Sequence, residues 1–340
     1  MKLNKTYQVT DVISAIERQK DSKKDYLMNT KTIRDPKLDN EGEVLSLQTE
    51  VGRIDFNENA ERQLATYLGV PAPYLQRIKS DATDLYFDTI STLLEKKEDT
   101  PRMIRTYNGR ARAVLSDTYC RLDNDIISNG LQKIADSELE IRGFSLDENG
   151  MNLQIVSPKS EAEVTKGDVV QSGFVIRNSE VGWHAMQSDF MAYRLVCTNG
   201  MVMGDKQFQM RRVHSGVSNL KQLGNERVPE YTVSDIVSQI ENVASHATSP
   251  EAINKYAESM LALDKIAIDD HHAVANRIQK QYKITNLQKE QIVGHYERDN
   301  RITAWGMCNA VTRTAQDQAK ADDALHLETI GGNMTTNFAF

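Results

Sequence analysis

Long apolar runs, paired cysteines and aromatic rings are scarce in this chain of 340 residues, and each shortage removes a class of protein. No stretch approaches the ~20 apolar residues of a membrane span, and the start MKLNKTYQV lacks the apolar core of a signal peptide. A cytoplasmic protein without membrane contact is expected. Cys120, Cys197 and Cys308 are odd in number, far apart and in no CxxC pair, which fits reduced buried thiols better than disulfides or zinc. There is no P-loop, no GxGxxG after a strand, no HExxH and no GxSxG, so no motif demands an enzyme, and neither a cofactor nor a metal is expected. His184, Cys197 and His214 match no zinc spacing, and in Asp269-Asp270-His271-His272 adjacent helical residues point to different sides, so all four cannot converge on one ion. A formal charge of −7 excludes a uniformly basic binder. Any nucleic-acid site must be local, and residues 102–217, with 14 basic and 14 acidic residues, are the least acidic part.

That middle part opens with RMIRTYNGRARAVLSD, Arg102–Asp117. Asn108-Gly109 is the strongest short signal for a two-residue type I′ hairpin, because both turn positions need positive φ. The implied register sets Tyr107 against Arg110, Arg105 against Arg112 and Met103 against Val114, all on one face. Like charges directly opposed destabilise a strand pair, so Arg105 facing Arg112 predicts an anion between them, and phosphate is the natural candidate. Carboxylates elsewhere in the fold are the alternative partners.

Residues 57–79 place Ala60, Leu64, Tyr67 and Leu68 at helical spacing, stop at Gly69 and restart after Pro71 and Pro73. The pattern resembles a helix-turn-helix, although a helix hairpin packed on a core has the same spacing. The first 50 residues read as irregular structure around one short helix, and another helix is expected at about 82–97. A helix at about 123–137 is followed by strands, the last two joined by a second type I′ signal at Asn199-Gly200, which puts Arg194 opposite Asp205 and Met191, Tyr193, Leu195 and Cys197 on the core face. Helices return from about residue 230, and the tail 329–340 is either mobile or docked through Phe338 and Phe340. Trp183, Tyr107 and Phe190 are candidates to stack on unpaired bases while arginines hold the backbone; for Trp183 a place in the core is the alternative.

RTYNGRARAVLSDTYCRLDN at 105–124, GFVIRNSEVGWHA at 173–185 and YRLVCTNGMV at 193–202 together resemble a family of prophage- and plasmid-borne bacterial proteins, the phage/plasmid-like domain of unknown function. The resemblance implies a mobile-element context and brings no catalytic residues with it. The order helix, antiparallel strands, helix over about 123–247 is also similar to phage single-strand annealing proteins of the Red-beta, RecT and Erf kinds, which implies rings or helical filaments that bind single strands without a catalytic cofactor.

The reading is an α+β protein: a mainly helical segment at 1–100, a central antiparallel sheet with flanking helices at 101–229 and a helical C-terminal region at 230–340. The expected function is single-stranded DNA binding and annealing by a phage or plasmid homo-oligomer, a ring or helical filament. Arg105, Arg110 and Arg112 are expected on phosphate, Tyr107 and Trp183 on bases, with Arg211 and Arg212 extending the track. A host-protein partner, as an inhibitor of a bacterial defence complex, and a nucleic-acid-processing enzyme are the alternatives.

Overall fold

The structure, a computed structural model, describes residues 6–135, 138–196, 198–203, 210–214, 220–223, 226–229, 233–299 and 301–338. Its first half is built on a sheet whose strands come from widely separated segments. After α1 (Val9–Asp21) come β1 (Lys23–Asn29), β2 (Arg34–Leu38), β3 (Leu45–Thr49) and β4 (Gly52–Phe56), so the first 50 residues hold a 13-residue helix and three strands rather than irregular structure. Then follow α2 (Glu58–Leu68), α3 (Ala72–Asp81), α4 (Thr83–Lys96), β5 (Pro101–Tyr107) and β6 (Arg110–Ser116). The strand order is β1-β5-β6-β4-β3-β2, so the arginine hairpin lies inside the N-terminal sheet and does not pair with the later strands. Phe56, Leu64, Tyr86, Ile90 and Ile104 anchor the core between this sheet and helices α2–α4. Asn57 caps α2 by accepting from the Ala60 amide, and Gly69 ends it at φ 79, the left-handed value that favours glycine.

The hairpin turns where expected: Asn108 and Gly109 have φ of 50 and 78. Tyr107 does oppose Arg110, but a bulge follows. Thr106 pairs with Ala111 and Arg105 with Ala113, leaving Arg112 as the extra residue, with Met103 opposite Leu115. Arg105 and Arg112 therefore do not face each other across the ladder, and the clash expected of them is absent.

The second half begins with α5 (Asn124–Ile134) and an antiparallel sheet of β7 (Glu140–Leu146), β8 (Met151–Thr165), β9 (Asp168–Asn178), β10 (Met186–Arg194) and β11 (Asn199–Met203), in the order β11-β10-β9-β8-β7, with β12 (Met210–Arg212) also on β10. Asn199-Gly200 is strand, not turn: Arg194 pairs with Asn199, so the chain has reversed before Asn199, with Thr198 at φ 51. Gly200 is there for packing, since a Cβ would lie 2.8 Å from the Met191 sulfur and 3.1 Å from Glu328. Arg194 binds Asp168 at 2.5 Å; Asp205 and Cys197 lie outside the described residues.

A short hairpin, β13 (Leu220–Leu223) and β14 (Glu226–Pro229), precedes α6 (Val233–Ala247), α7 (Pro250–Asp264), α8 (His271–Tyr282), α9 (Asn286–Asp299), α10 (Ala304–Thr314) and α11 (Ala321–Thr336). Helices α6 and α7 cover one face of the sheet, and α11 packs its Leu325 on Val175 and Val202 of the other. Phe190, proposed as a base-stacking residue, is consequently core: it is buried and stacks on Tyr256 of α7 at 4.8 Å. α11 extends through most of the expected tail, and Phe338 packs against the same core; Phe340 lies outside the described residues. The fold is α+β, with two antiparallel-rich sheets and a helical C-terminal region that shares one core with the second sheet. No helix among the described residues is long and apolar enough to cross a membrane.

Candidate nucleic-acid interface

The recognisable stretches of sequence meet where the two halves join. Arg105 and Arg112 leave the hairpin and Glu180 leaves the crossing after β9, and all three are buried. The Glu180 carboxylate accepts from Arg112 at 2.7 Å, from Lys23 at 2.7 Å and from the Asn124 amide at 2.8 Å, while its carbonyl accepts from Arg105 at 2.9 Å. Arg105 also donates to Asp25 at 2.9 Å and Asp123 at 2.8 Å. Burial pushes the Glu180 carboxyl up, but Lys23, Arg112 and Arg105 outweigh burial and hold it at about 2. The Lys23 ammonium is pushed below its ordinary value because burial outweighs a carboxylate it shares with Arg112. The anion expected between the arginines is thus supplied by the protein, and Arg105 and Arg112 are not available to phosphate.

Beside this buried hub lies an open cleft of about 850 Å³, lined by Arg62, Lys97, Arg102 and Arg211 and, among the described residues, by no carboxylate. Helix α2 supplies Arg62, the segment after α4 supplies Lys97, the start of β5 supplies Arg102, and β12 supplies Arg211. Among the described residues no carboxylate is ion-paired with any of the four. Arg102 lies 4.2 Å from the Tyr67 ring centre and Lys97 lies 5.1 Å from it, so both cations are braced by one aromatic ring. Tyr67 in turn hydrogen-bonds Thr30 and Thr100. Arg62 donates to Asn59 at 2.8 Å and sits 5.9 Å from the Trp183 ring centre, while the Trp183 indole N–H donates to the same Asn59 oxygen. Trp183 is 47% exposed, so of its two expected environments the surface is the one it occupies. Cations without acidic partners, next to accessible rings, make a surface suited to a polyanion with stacking groups.

The other predicted residues divide by depth. Arg211 lines the cleft and Arg212 is half-buried next to it. Tyr107 and Arg110 sit at the hairpin tip, five residues from Arg102 along β5, or about 17 Å at ~3.3 Å per residue. Tyr119 and His214 form the inner wall as a stacked pair at 5.3 Å. His214 bridges Cys120 carbonyl and Asn178, and burial pushes its imidazole down to about 4, so it is neutral at pH 7. His184 also lines the cleft, its Nε2 without a hydrogen-bond partner and its imidazole lowered by burial. Cys120 and Cys308 are buried thiols. A second cleft of about 510 Å³ mixes Arg298 and Arg313 with Asp299 and Asp317, so its charge is largely compensated internally. Arg62, Lys97 and Arg102 were not singled out from sequence. Arg102 belongs to the arginine-rich stretch, but nothing local shows that α2 and the end of α4 bring Arg62 and Lys97 to it.

A family model described as "Domain of unknown function (DUF932)" matches residues 113–329, more than half of the chain. No curated protein and no solved structure matches it. The matched region holds the second sheet and the C-terminal helices through most of α11, with Arg211, His184 and His214. Arg62, Lys97 and Arg102 precede it, so the cleft is closed by residues from outside the matched region.

Proposed function

The chain belongs to the DUF932 family, and from that premise and the cleft we propose that the protein binds single-stranded nucleic acid, with annealing of complementary strands by a homo-oligomer as its activity. The observation that carries this reading is the set Arg62, Lys97, Arg102 and Arg211, gathered from both halves of the molecule around a cleft that no carboxylate among the described residues lines. In an acidic protein such a surface is electrostatically distinct, and like charges are brought together there without internal compensation. Exposed Trp183 beside the cleft offers a stacking face, and stacking on unpaired bases needs no particular sequence. The resemblance to prophage- and plasmid-borne proteins fits an annealing role.

The test is a salt titration of binding to a labelled oligodeoxynucleotide. At ~0.7 per single-strand phosphate contact, the triple variant Lys97→Ala/Arg102→Ala/Arg211→Ala should lose about 2 from the slope of log K against log salt, with weaker binding for every sequence. Unchanged affinity and slope in a folded variant would remove the cleft from the reading. An annealing assay with light scattering separates an assembling annealer from a passive monomeric binder. The same oligonucleotides are checked for chain cleavage, the outcome that a nucleic-acid-processing enzyme would give.

A further inference from the structure

We propose that His271, His272 and Glu297 form a site for a borderline-soft divalent transition metal, Zn²⁺ above all, that clamps α8 to α9. Helices α8 and α9 run antiparallel with three residues between them, so the first turn of α8 lies beside the last turn of α9. His271 and His272 are the first two residues of α8. At an ordinary helical position neighbouring side chains diverge, but here both rings turn towards Glu297, with ring centres 4.3 Å apart. One potential ligand atom from each of the three residues lies within 4.8 Å of the other two.

The details favour a metal over a plain ion pair. His271 Nε2 lies 3.0 Å from Glu297 Oε1, but His272 Nε2 is 3.9 Å from that same oxygen, too far for a hydrogen bond. One carboxylate oxygen thus serves one imidazole and leaves the other aimed at it without a bond. A dication among the three atoms satisfies all of them, with each imidazole giving its Nε2 lone pair and keeping its proton on Nδ1. Tetrahedral zinc bonds of about 2.0–2.1 Å put ligand atoms about 3.3 Å apart, between the 3.0 and 3.9 Å that separate the two imidazole nitrogens from Glu297 Oε1. His271 is already oriented, stacked on Tyr296 of α9 at 5.3 Å. The Asp270 carboxylate is engaged in capping α8 through the Ala273 amide, so the fourth position falls to water. Two imidazoles and one carboxylate select zinc, copper or nickel over magnesium or calcium, which require mostly oxygen. Of the four residues Asp269–His272, which cannot all converge, two do, and the third ligand comes from a helix 25 residues further on.

The experiment uses untagged full-length protein, stripped with a chelator and titrated with ZnCl₂ against a chromophoric competitor. Wild type should bind one equivalent with micromolar or tighter affinity, unaffected by millimolar Mg²⁺, and melt at a higher temperature with the metal. Glu297→Gln and His272→Ala, both at exposed positions, should fold normally, bind Zn²⁺ at least about tenfold more weakly and lose the thermal shift. No saturable binding by wild type, or equal binding by wild type and both variants, would overturn the site, the second result assigning the metal to other histidines.

Discussion

Arg112 and Glu180 form an ion pair of 2.7 Å in which each side chain is 1% exposed. It joins the bulge of the arginine hairpin to the crossing between β9 and β10. Breaking such a pair from one side leaves a charge without its partner in a place water does not reach, which costs about 3–5 kcal/mol. Arg112→Ala and Arg105→Ala should each destabilise by that order in urea unfolding. Lysine at either position should rescue little, because the forked guanidinium serves several acceptors at once and an ammonium cannot. Melting unchanged in Arg112→Ala would show that the two halves are held together by apolar contacts alone.

The same hub sets the acid limit of the fold. Glu180 titrates near 2 in the folded protein against an ordinary value of 4.5, so the folded state binds its proton less readily than the unfolded chain. Its contribution is therefore full above about pH 4.5 and lost as pH falls towards 2, of the order of 3 kcal/mol in all. Glu180→Gln should be less stable at pH 7 and show a flatter loss of stability between those limits. Parallel curves for wild type and variant would assign acid sensitivity to other carboxylates.

Hairpin and hub illustrate how far the sequence can be read. The turn at Asn108-Gly109 was legible because two left-handed residues are a local requirement, and the helices of the C-terminal region because their period is local too. The bulge at Arg112 was not, since it is fixed by Glu180, 68 residues away, whose charge the arginine must reach. Asn199-Gly200 carries the same dipeptide signal as the true turn, but its glycine answers to the close approach of α11. The N-terminal strands were hidden for a related reason: β1 pairs with β5, some 80 residues on, and neither segment alternates cleanly enough to announce a partner. Of the cleft itself only Arg211 was found, with Trp183 beside it; the other cations need the tertiary fold to meet.

A second buried carboxylate behaves oppositely. Glu328 on α11 lies against β11 and accepts from Gln154 at 2.7 Å, with no cation among the described residues paired with it, and burial pushes its carboxyl up to about 8. The folded state then binds a proton that the unfolded chain releases near 4.5, so stability should fall as pH rises from about 4.5 through 8, by about 5 kcal/mol. Glu328→Gln, which stays neutral, should remove most of this slope and exceed wild type in stability at pH 8.5. A slope retained in the variant would show that Glu328 is ionised in the fold.

Cutting the chain after Pro229 tests the shared core. Phe190 stacks on Tyr256, and Leu325 covers Val175 and Val202, so removal of α6–α11 would expose both faces of the second sheet. The 1–229 fragment should be insoluble or molten, with lost near-ultraviolet dichroism. A soluble, cooperatively unfolding fragment would mean that the helices form a separable unit.

The two tryptophans make the surface beside the cleft observable without a label. Trp305 is fully buried, its indole N–H bound to Asp168 at 2.9 Å, whereas Trp183 is 47% exposed beside Arg62. Acrylamide should quench Trp183 alone, and an oligonucleotide stacked on that ring should both quench its emission and shield it from acrylamide. Trp183→Phe should abolish the response, and Trp183→Ala should weaken binding by about 1–3 kcal/mol, the usual worth of one base–aromatic stack. Unchanged affinity in Trp183→Ala would take the ring out of the binding surface and leave a purely electrostatic cleft. A fluorescence response that persists in Trp183→Phe would instead come from Trp305, and would mean that binding reaches Asp168 and the core beneath it.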